Sequence, residues 1–356
     1  MRQVIKFLDC GYTLMNRKID VSLLIPTHNN ADTVSAAIRS CMQQTCRDIE
    51  IIVYDEASRD GTCEIILRLA KEDSRIRVLT SETNSGPVLA WRRLLAEAKG
   101  RYFTFVWSDD LLLATYVEKM KVALDANPSH LLTGCSAYIE PTCANRIEEV
   151  YSPHPERRRV YEFEDIRLTG DVYALGLLAG FFPITQICSL YRTAEAKEVF
   201  DRYIQFENPY GFDYTRRAYG NEVSYLSELA FRSGEVLLTG EPLVILRASP
   251  GSMTVRAMAS HKFDFWLQYV WAITSAWTRC EALSPRVSRL VRVAADRLHL
   301  CDTVAAIANR RCPLHCNVVR IVRALWFMVR FDRRIRYTAK IESLRRWMSD
   351  SNDSIE

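Results

Sequence analysis

Phe103-Thr-Phe-Val-Trp-Ser-Asp109-Asp110 is an apolar run that stops at two adjacent carboxylates. A short apolar run bounded by turn residues reads as a buried strand. In open α/β sheets, ligands bind in the crevice at the carboxyl ends of strands. Carboxylate oxygens there suit hard cations such as Mg²⁺ or Mn²⁺. The same residues also suit a plain helix start, with Ser108, Asp109 or Asp110 as N-cap. The upstream sequence weighs between the two readings.

Val21-Ser-Leu-Leu-Ile25, closed by Pro26, is a compact apolar run, and Asn29-Asn30-Ala-Asp32 after it carries turn and capping chemistry. Val34, Ala37, Ile38, Cys41 and Met42 then fall at helical spacing. Ile49-Glu-Ile-Ile-Val-Tyr54 is a second strand, ending at Asp55-Glu56, and Ser58-x-Asp60-Gly-Thr62 starts the next helix. Arg75 to Leu79 is a third strand, Asn84-Ser-Gly-Pro87 a loop, Leu89 to Ala98 a helix, and Tyr102 to Trp107 a fourth strand. Strands alternating with helices of this length predict βαβ units and a mainly parallel sheet, an α/β fold. Parallel strands end at one edge, so Asp55-Glu56 and Asp109-Asp110 are expected to converge. Four carboxylates at one rim repel each other unless a cation or ligand donors relieve them.

The chain has 356 residues, 48% hydrophobic and 25% charged, an ordinary globular balance. Its net charge of +4 is uneven. From Arg256 onward, 18 Lys/Arg stand against 9 Asp/Glu, which leaves −5 on residues 1–255. An acidic body with a basic tail is not the footprint of a nucleic-acid binder, but it permits contact with anionic lipid. The eleven cysteines are scattered, and the N-terminus lacks an apolar core and cleavage site. Free thiols in the cytosol are therefore expected. Cys312-x3-Cys316 with His315 has no second ligand pair for zinc. No run of 18 apolar residues exists to span a membrane.

The ordered set Val21-Ser-Leu-Leu-Ile-Pro-Thr-His-Asn-Asn, Ile49-Glu-Ile-Ile-Val-Tyr-Asp55-Glu-Ala-Ser58-Arg-Asp60-Gly-Thr, Asn84-x-Gly86, Ala98-x-Gly100 and Ser108-Asp109-Asp110 resembles family 2 glycosyltransferases. The resemblance implies a GT-A fold: a nucleotide-sugar-binding half over 20–125 and an acceptor-binding half over 126–255. It also implies a nucleotide-sugar donor, with a UDP-sugar favoured, Mg²⁺ or Mn²⁺, and inversion at the anomeric carbon. By position, Pro26, Thr27 and Asn29 border the base and ribose, with Asp55, Glu56, Asn84 and Gly86 also on the nucleotide. Glu56 departs from the usual second aspartate, which bears on base choice. Asp109 and Asp110 match the tail of the family's DXD motif, with Trp107 in place of its first acid. Metal contact then rests mostly on Asp110, with Asp109 toward the ribose or sugar. Arg92 or Arg93 is either a phosphate contact or a solvated helix face, and His28 reads as lining.

A weaker resemblance covers Gly180 to about Thr254. Glu222 stands where the family keeps the acid that deprotonates the acceptor hydroxyl, with Asp213 as runner-up. The plainer reading makes Glu222 a first-turn helix acid favoured by the dipole. In Leu246-Arg247-Ala-Ser249 a serine replaces a family histidine, and Arg247 is left to neutralise the diphosphate.

Residues 1–19 form an unassigned leader, 256–348 a basic helical extension and 349–356 a disordered tail. Within 314–336, Trp and Arg border an apolar face, which suits an interfacial helix at the inner face of a membrane; the alternative is a helical cap on the core.

The expected activity is sugar transfer to a glycan or lipid-linked acceptor. A nucleotidyltransferase should show a Gly-rich phosphate loop, which Pro26-Thr-His-Asn-Asn is not. A dinucleotide oxidoreductase lacks its G-x-G-x-x-G. A non-catalytic nucleotide-sugar binder on a degenerate scaffold remains the other alternative.

Overall fold

The computed structural model describes residues 5–8, 18–140, 161, 163–179, 182–204 and 221–247. They lie within the first of two compact units, Met1–Ala282. In chain order the elements are β1 (Ile5–Leu8), β2 (Val21–Thr27), α1 (Val34–Met42), β3 (Ile49–Glu56), α2 (Thr62–Glu72) and β4 (Ile76–Ser81). Then come α3 (Pro87–Glu97), β5 (Tyr102–Phe105), β6 (Leu111–Leu112), α4 (Tyr116–Ala126), β7 (Leu132–Glu140) and β8 (Ile166–Thr169). The last are α5 (Gly170–Ala179), β9 (Ser189–Arg192), α6 (Thr193–Ile204), α7 (Asn221–Ser233) and β10 (Glu235–Arg247).

One mixed sheet runs in the order β1-β4-β3-β2-β5-β9-β7-β10-β6, with β8 also on β10. β4, β3, β2 and β5 are parallel. β9 is antiparallel to both β5 and β7, and β10 is parallel to β7. β10 therefore runs in the direction of β2 and β5, and its last residue, Arg247, arrives at the same edge as theirs. The sheet continues unbroken between the two expected halves. Within the unassigned leader, Ile5–Leu8 pairs antiparallel with β4.

The central strands read as continuous apolar runs because both faces are covered. Val21, Leu23 and Ile25 join the core under α1, α2 and α4. On the other face Phe105 meets Trp91 of α3 and Phe200 of α6. Glu50 is buried within β3 and is satisfied by Ser22 (2.6 Å), Arg77 (2.9 Å) and the Lys99 backbone N–H (2.7 Å).

Two strands run further than expected. β3 includes Asp55 and Glu56, and β2 includes Pro26 and Thr27. Proline is tolerated there because pairing with β5 ends at Leu24, whose carbonyl accepts Val106 N–H at 2.8 Å. Pro26 N faces that same side, beyond the last ladder bond. The helix before β5 ends at Glu97 with Ala98 as its C-cap, so Gly100 lies beyond it. Gly100 answers a different need: a Cβ there would lie 2.6 Å from the Ser22 backbone nitrogen. Among the described residues no helix is long and apolar enough to cross a membrane. The stretches 256–348 and 349–356 lie outside the described residues.

Candidate active site

The chain passes from β2 through β3 to β4 on one side, then returns to place β5 on the other side of β2. The carboxyl ends of β2 and β5 thus flank a topological switch point, where an α/β sheet opens a ligand crevice. Asn30 Nδ2 donates to Ser108 Oγ at 2.6 Å across it.

Loops tie this edge together. Asn29, in the left-handed region at φ 53°, donates its N–H to Ser58 Oγ (2.8 Å) and accepts Arg59 N–H on Oδ1 (2.8 Å). Asp60 accepts the N–H groups of Ala31 (3.0 Å) and Thr62 (3.1 Å). The start of α1 is thus steadied from the loop after β3, while its own N-cap, Thr33, makes no side-chain cap. Pro26 is half-buried, and the buried Thr27 Oγ1 has no partner.

The buried Asp55 accepts hydrogen bonds from Ser58 Oγ and N–H, and burial raises its carboxyl against them. Glu56 turns to Ser85, accepting its N–H (3.2 Å) and Oγ–H (2.6 Å). Its longer side chain therefore braces the loop before α3. His28 Nδ1 lies 2.6 Å from the Glu56 carbonyl oxygen. Asn84 Oδ1 accepts Gly86 N–H at 2.9 Å, a local turn that lets Gly86 adopt φ +97° before Pro87 opens α3.

Asp109 and Asp110 do not begin a helix. Leu111–Leu112 is a strand against β10, and the next helix starts after Thr115. Freed from capping, the pair faces Arg247. The backbone N–H of Arg247 donates to Asp110 Oδ1, and its Nε donates to the Asp109 carbonyl, both at 2.7 Å. Arg247 Nη2 is buried and has no partner. Burial raises the carboxyls of both aspartates, and for Asp110 the charges of Asp109 and Glu222 add to it. Arg247 pulls the other way.

Glu222, in the first turn of α7, is thus brought within electrostatic reach of Asp110. Burial pushes its carboxyl up to about 8, against a hydrogen bond from Gln186 N–H. Asp213 lies outside the described residues. Arg92 pairs with Asp201 and Arg93 with Glu97. Trp107 packs between Trp91 and Phe105 and donates Nε1–H to Thr185 Oγ1 at 2.8 Å. The position of the missing first acid is therefore spent on the core.

Asp109 and Asp110 meet Arg247 at this edge, and they are the carboxylates that would hold a divalent cation there. Among the described residues no group of three or more His, Cys, Asp or Glu is assembled to hold a metal.

Gln186 and Asn30 are site neighbours that sequence reading passed over. Asn30 had a signal, its place directly after the first central strand. Gln186 had none, because only the pairing of β9 brings its turn to this edge.

The family model described as Glycosyl transferase family 2 matches residues 22–173. A Bacillus subtilis relative, "Putative teichuronic acid biosynthesis glycosyltransferase TuaG", is 33% identical over 124 residues, 35% of this chain and 49% of the relative. An Escherichia coli relative, "UDP-Glc:alpha-D-GlcNAc-diphosphoundecaprenol beta-1,3-glucosyltransferase WfgD", is 38% identical over 98 residues, 28% of this chain and 38% of the relative. The matched stretch thus spans less than half of these relatives. Crystal structures of S. aureus TarS superpose with TM-scores of 0.57 (with UDP) and 0.55 (with UDP-GlcNAc), at 15% and 16% identity. They cover 83% and 86% of this chain and 76% and 80% of the TarS chain. Residues 22–173 thus match the model of glycosyl transferase family 2, and the fold is of the GT-A type.

Proposed function

We propose that the protein transfers a sugar from a nucleotide-sugar donor to a hydroxyl of a glycan or lipid-linked acceptor, with inversion. The observation that carries this reading is the meeting of Asp110, Arg247 and Glu222 at the switch-point edge, with Arg247 Nη2 buried and unpaired. An unpaired buried guanidinium N–H is costly and suits a phosphate oxygen, a charge-assisted partner. Asn29, Asp55 and the unpaired Thr27 hydroxyl flank the same crevice, on the side given to base and ribose. The UDP-glucose donor and diphosphoundecaprenol-linked acceptor named for the Escherichia coli relative support a UDP-sugar and a lipid-linked glycan.

The acceptor oxygen attacks the anomeric carbon as Glu222 takes its proton. The bond from that carbon to the diphosphate oxygen breaks, and the nucleoside diphosphate leaves with the electron pair. A single displacement opposite the leaving group inverts configuration. Arg247 meets the developing charge on the diphosphate. A divalent cation, Mg²⁺ or Mn²⁺, held by Asp110 with Asp109 would supply further positive charge there. A carboxyl raised to about 8 is a stronger base than an ordinary glutamate and is matched to neutral or mildly alkaline conditions. The basic stretch 314–336, outside the described residues, is proposed to meet anionic lipid on the side where a lipid-linked acceptor is presented.

The test is release of UDP from a panel of UDP-sugars with Mn²⁺, by wild type and by Glu222→Gln. Slow turnover with unchanged donor affinity in the variant supports Glu222 as base. Wild-type turnover in the variant moves that role to Asp213. No donor consumption by wild type favours a nucleotide-sugar-binding protein.

A further inference from the structure

Gln186 opens the 3-10 turn that leads into β9 at the carboxyl edge. It is wholly buried, and its backbone is fully used. The N–H donates to the Glu222 carboxylate, and the carbonyl accepts Tyr191 Oη–H at 3.2 Å. Its side chain is not used: Oε1 and Nε2 are both buried with no partner. Burying an unpaired amide costs about 1–3 kcal/mol by mutational measures. The surroundings do not ask for one, since Ile187, Cys188 and Leu190 on the same segment pack into the apolar core. A leucine would fill the space without the penalty.

We propose that Gln186 is a specificity-determining residue whose amide pairs with a hydroxyl of the acceptor sugar, next to the hydroxyl that Glu222 deprotonates. The proposal rests on the transferase reading given above. An amide offers one acceptor oxygen and two N–H donors. A sugar hydroxyl both donates and accepts, so it can satisfy either end. A carboxylate or phosphate only accepts and would leave Oε1 unpaired. The ligand class is therefore a neutral polyol. Gln186 joins the site through Glu222, whereas Asp109, Asp110 and Arg247 form the diphosphate side. That assigns the amide to the acceptor rather than to the donor.

The test compares wild type with Gln186→Leu, using UDP-glucose, UDP-galactose and UDP-GlcNAc with Mn²⁺. The acceptors are the methyl glycosides of glucose, galactose, mannose and N-acetylglucosamine. For the best acceptor, the variant should show a KM about tenfold higher, the worth of one hydrogen bond. The donor KM should not move, and the melting temperature should be equal or higher. An unchanged acceptor KM overturns the proposal. So does a melting temperature several degrees lower, which would show that the fold itself uses the amide. A wild type that releases UDP yet glycosylates none of these sugars also overturns it. Failure to release UDP from any donor instead removes the transferase reading beneath it.

Discussion

The backbone N–H of Arg247 donates to Asp110 Oδ1 at 2.7 Å, joining residues 137 apart in sequence. The bond locks the end of β10 onto the turn after β5, so the Arg247 side chain is delivered beside the acidic pair. The backbone half of this link survives substitution, and the side-chain half does not. Arg247→Met should therefore fold normally but bind UDP about 10–100-fold more weakly, the loss expected for a hydrogen bond to a charged group. Titration calorimetry with UDP and Mn²⁺ measures this; equal affinity would remove Arg247 from the diphosphate.

Glu222→Gln should lower kcat by about 10²–10⁴-fold, the usual worth of a placed general base, and leave donor KM in place. Steady-state UDP release reads both constants.

The same substitution has a stability signature. The Glu222 carboxyl moves from 4.5 up to about 8 on folding. A folded-state pKa above the unfolded one contributes stability that is fully present below about 4.5 and is lost as pH rises through about 8. Glutamine carries no such dependence. The gain in melting temperature of Glu222→Gln over wild type should thus grow from about pH 5 to about pH 8 and level off above. Melting curves across this range check it; a constant offset would contradict burial as the cause.

Glu50 lies on β3 and holds Ser22, Arg77 and the Lys99 N–H. Glu50→Ala leaves these groups without their acceptor and should cost about 3–5 kcal/mol. Urea unfolding measures the loss. An effect below about 1 kcal/mol would show that the cluster adds little.

Much of the first half was legible because its signals are local. Apolar runs, helical spacing and acidic strand ends mark β2 to β5 without any long-range information. Parallel direction then follows from the helices between them, and with it the convergence of Asp55, Glu56, Asp109 and Asp110 on one edge. What stayed hidden depends on pairing across the chain. Nothing in Ile5-Lys-Phe-Leu8 says that it will pair with β4. Nothing near Gln186 says that β9 lies between β5 and β7. Arg247 was visible only through resemblance, since its contact with Asp110 needs β10 to run parallel to β7. Glu56 and Trp107 were visible as departures from a pattern. Their actual duties, bracing Ser85 and packing on Trp91, required side-chain positions.

The central claim is that Asp110 anchors the diphosphate of a nucleotide sugar through a divalent cation. Thermal melting of wild type and Asp110→Asn, with UDP-glucose in the presence and absence of Mn²⁺, tests it most directly. Asp110→Asn removes a buried charge that Asp109 and Glu222 repel, so the unliganded variant should melt at or above wild type. UDP-glucose at about 100 times its Kd stabilises by about 2.7 kcal/mol. The account predicts that shift in wild type only with Mn²⁺, and no Mn²⁺-dependent shift in Asp110→Asn. An equal Mn²⁺-dependent shift in both proteins would contradict it.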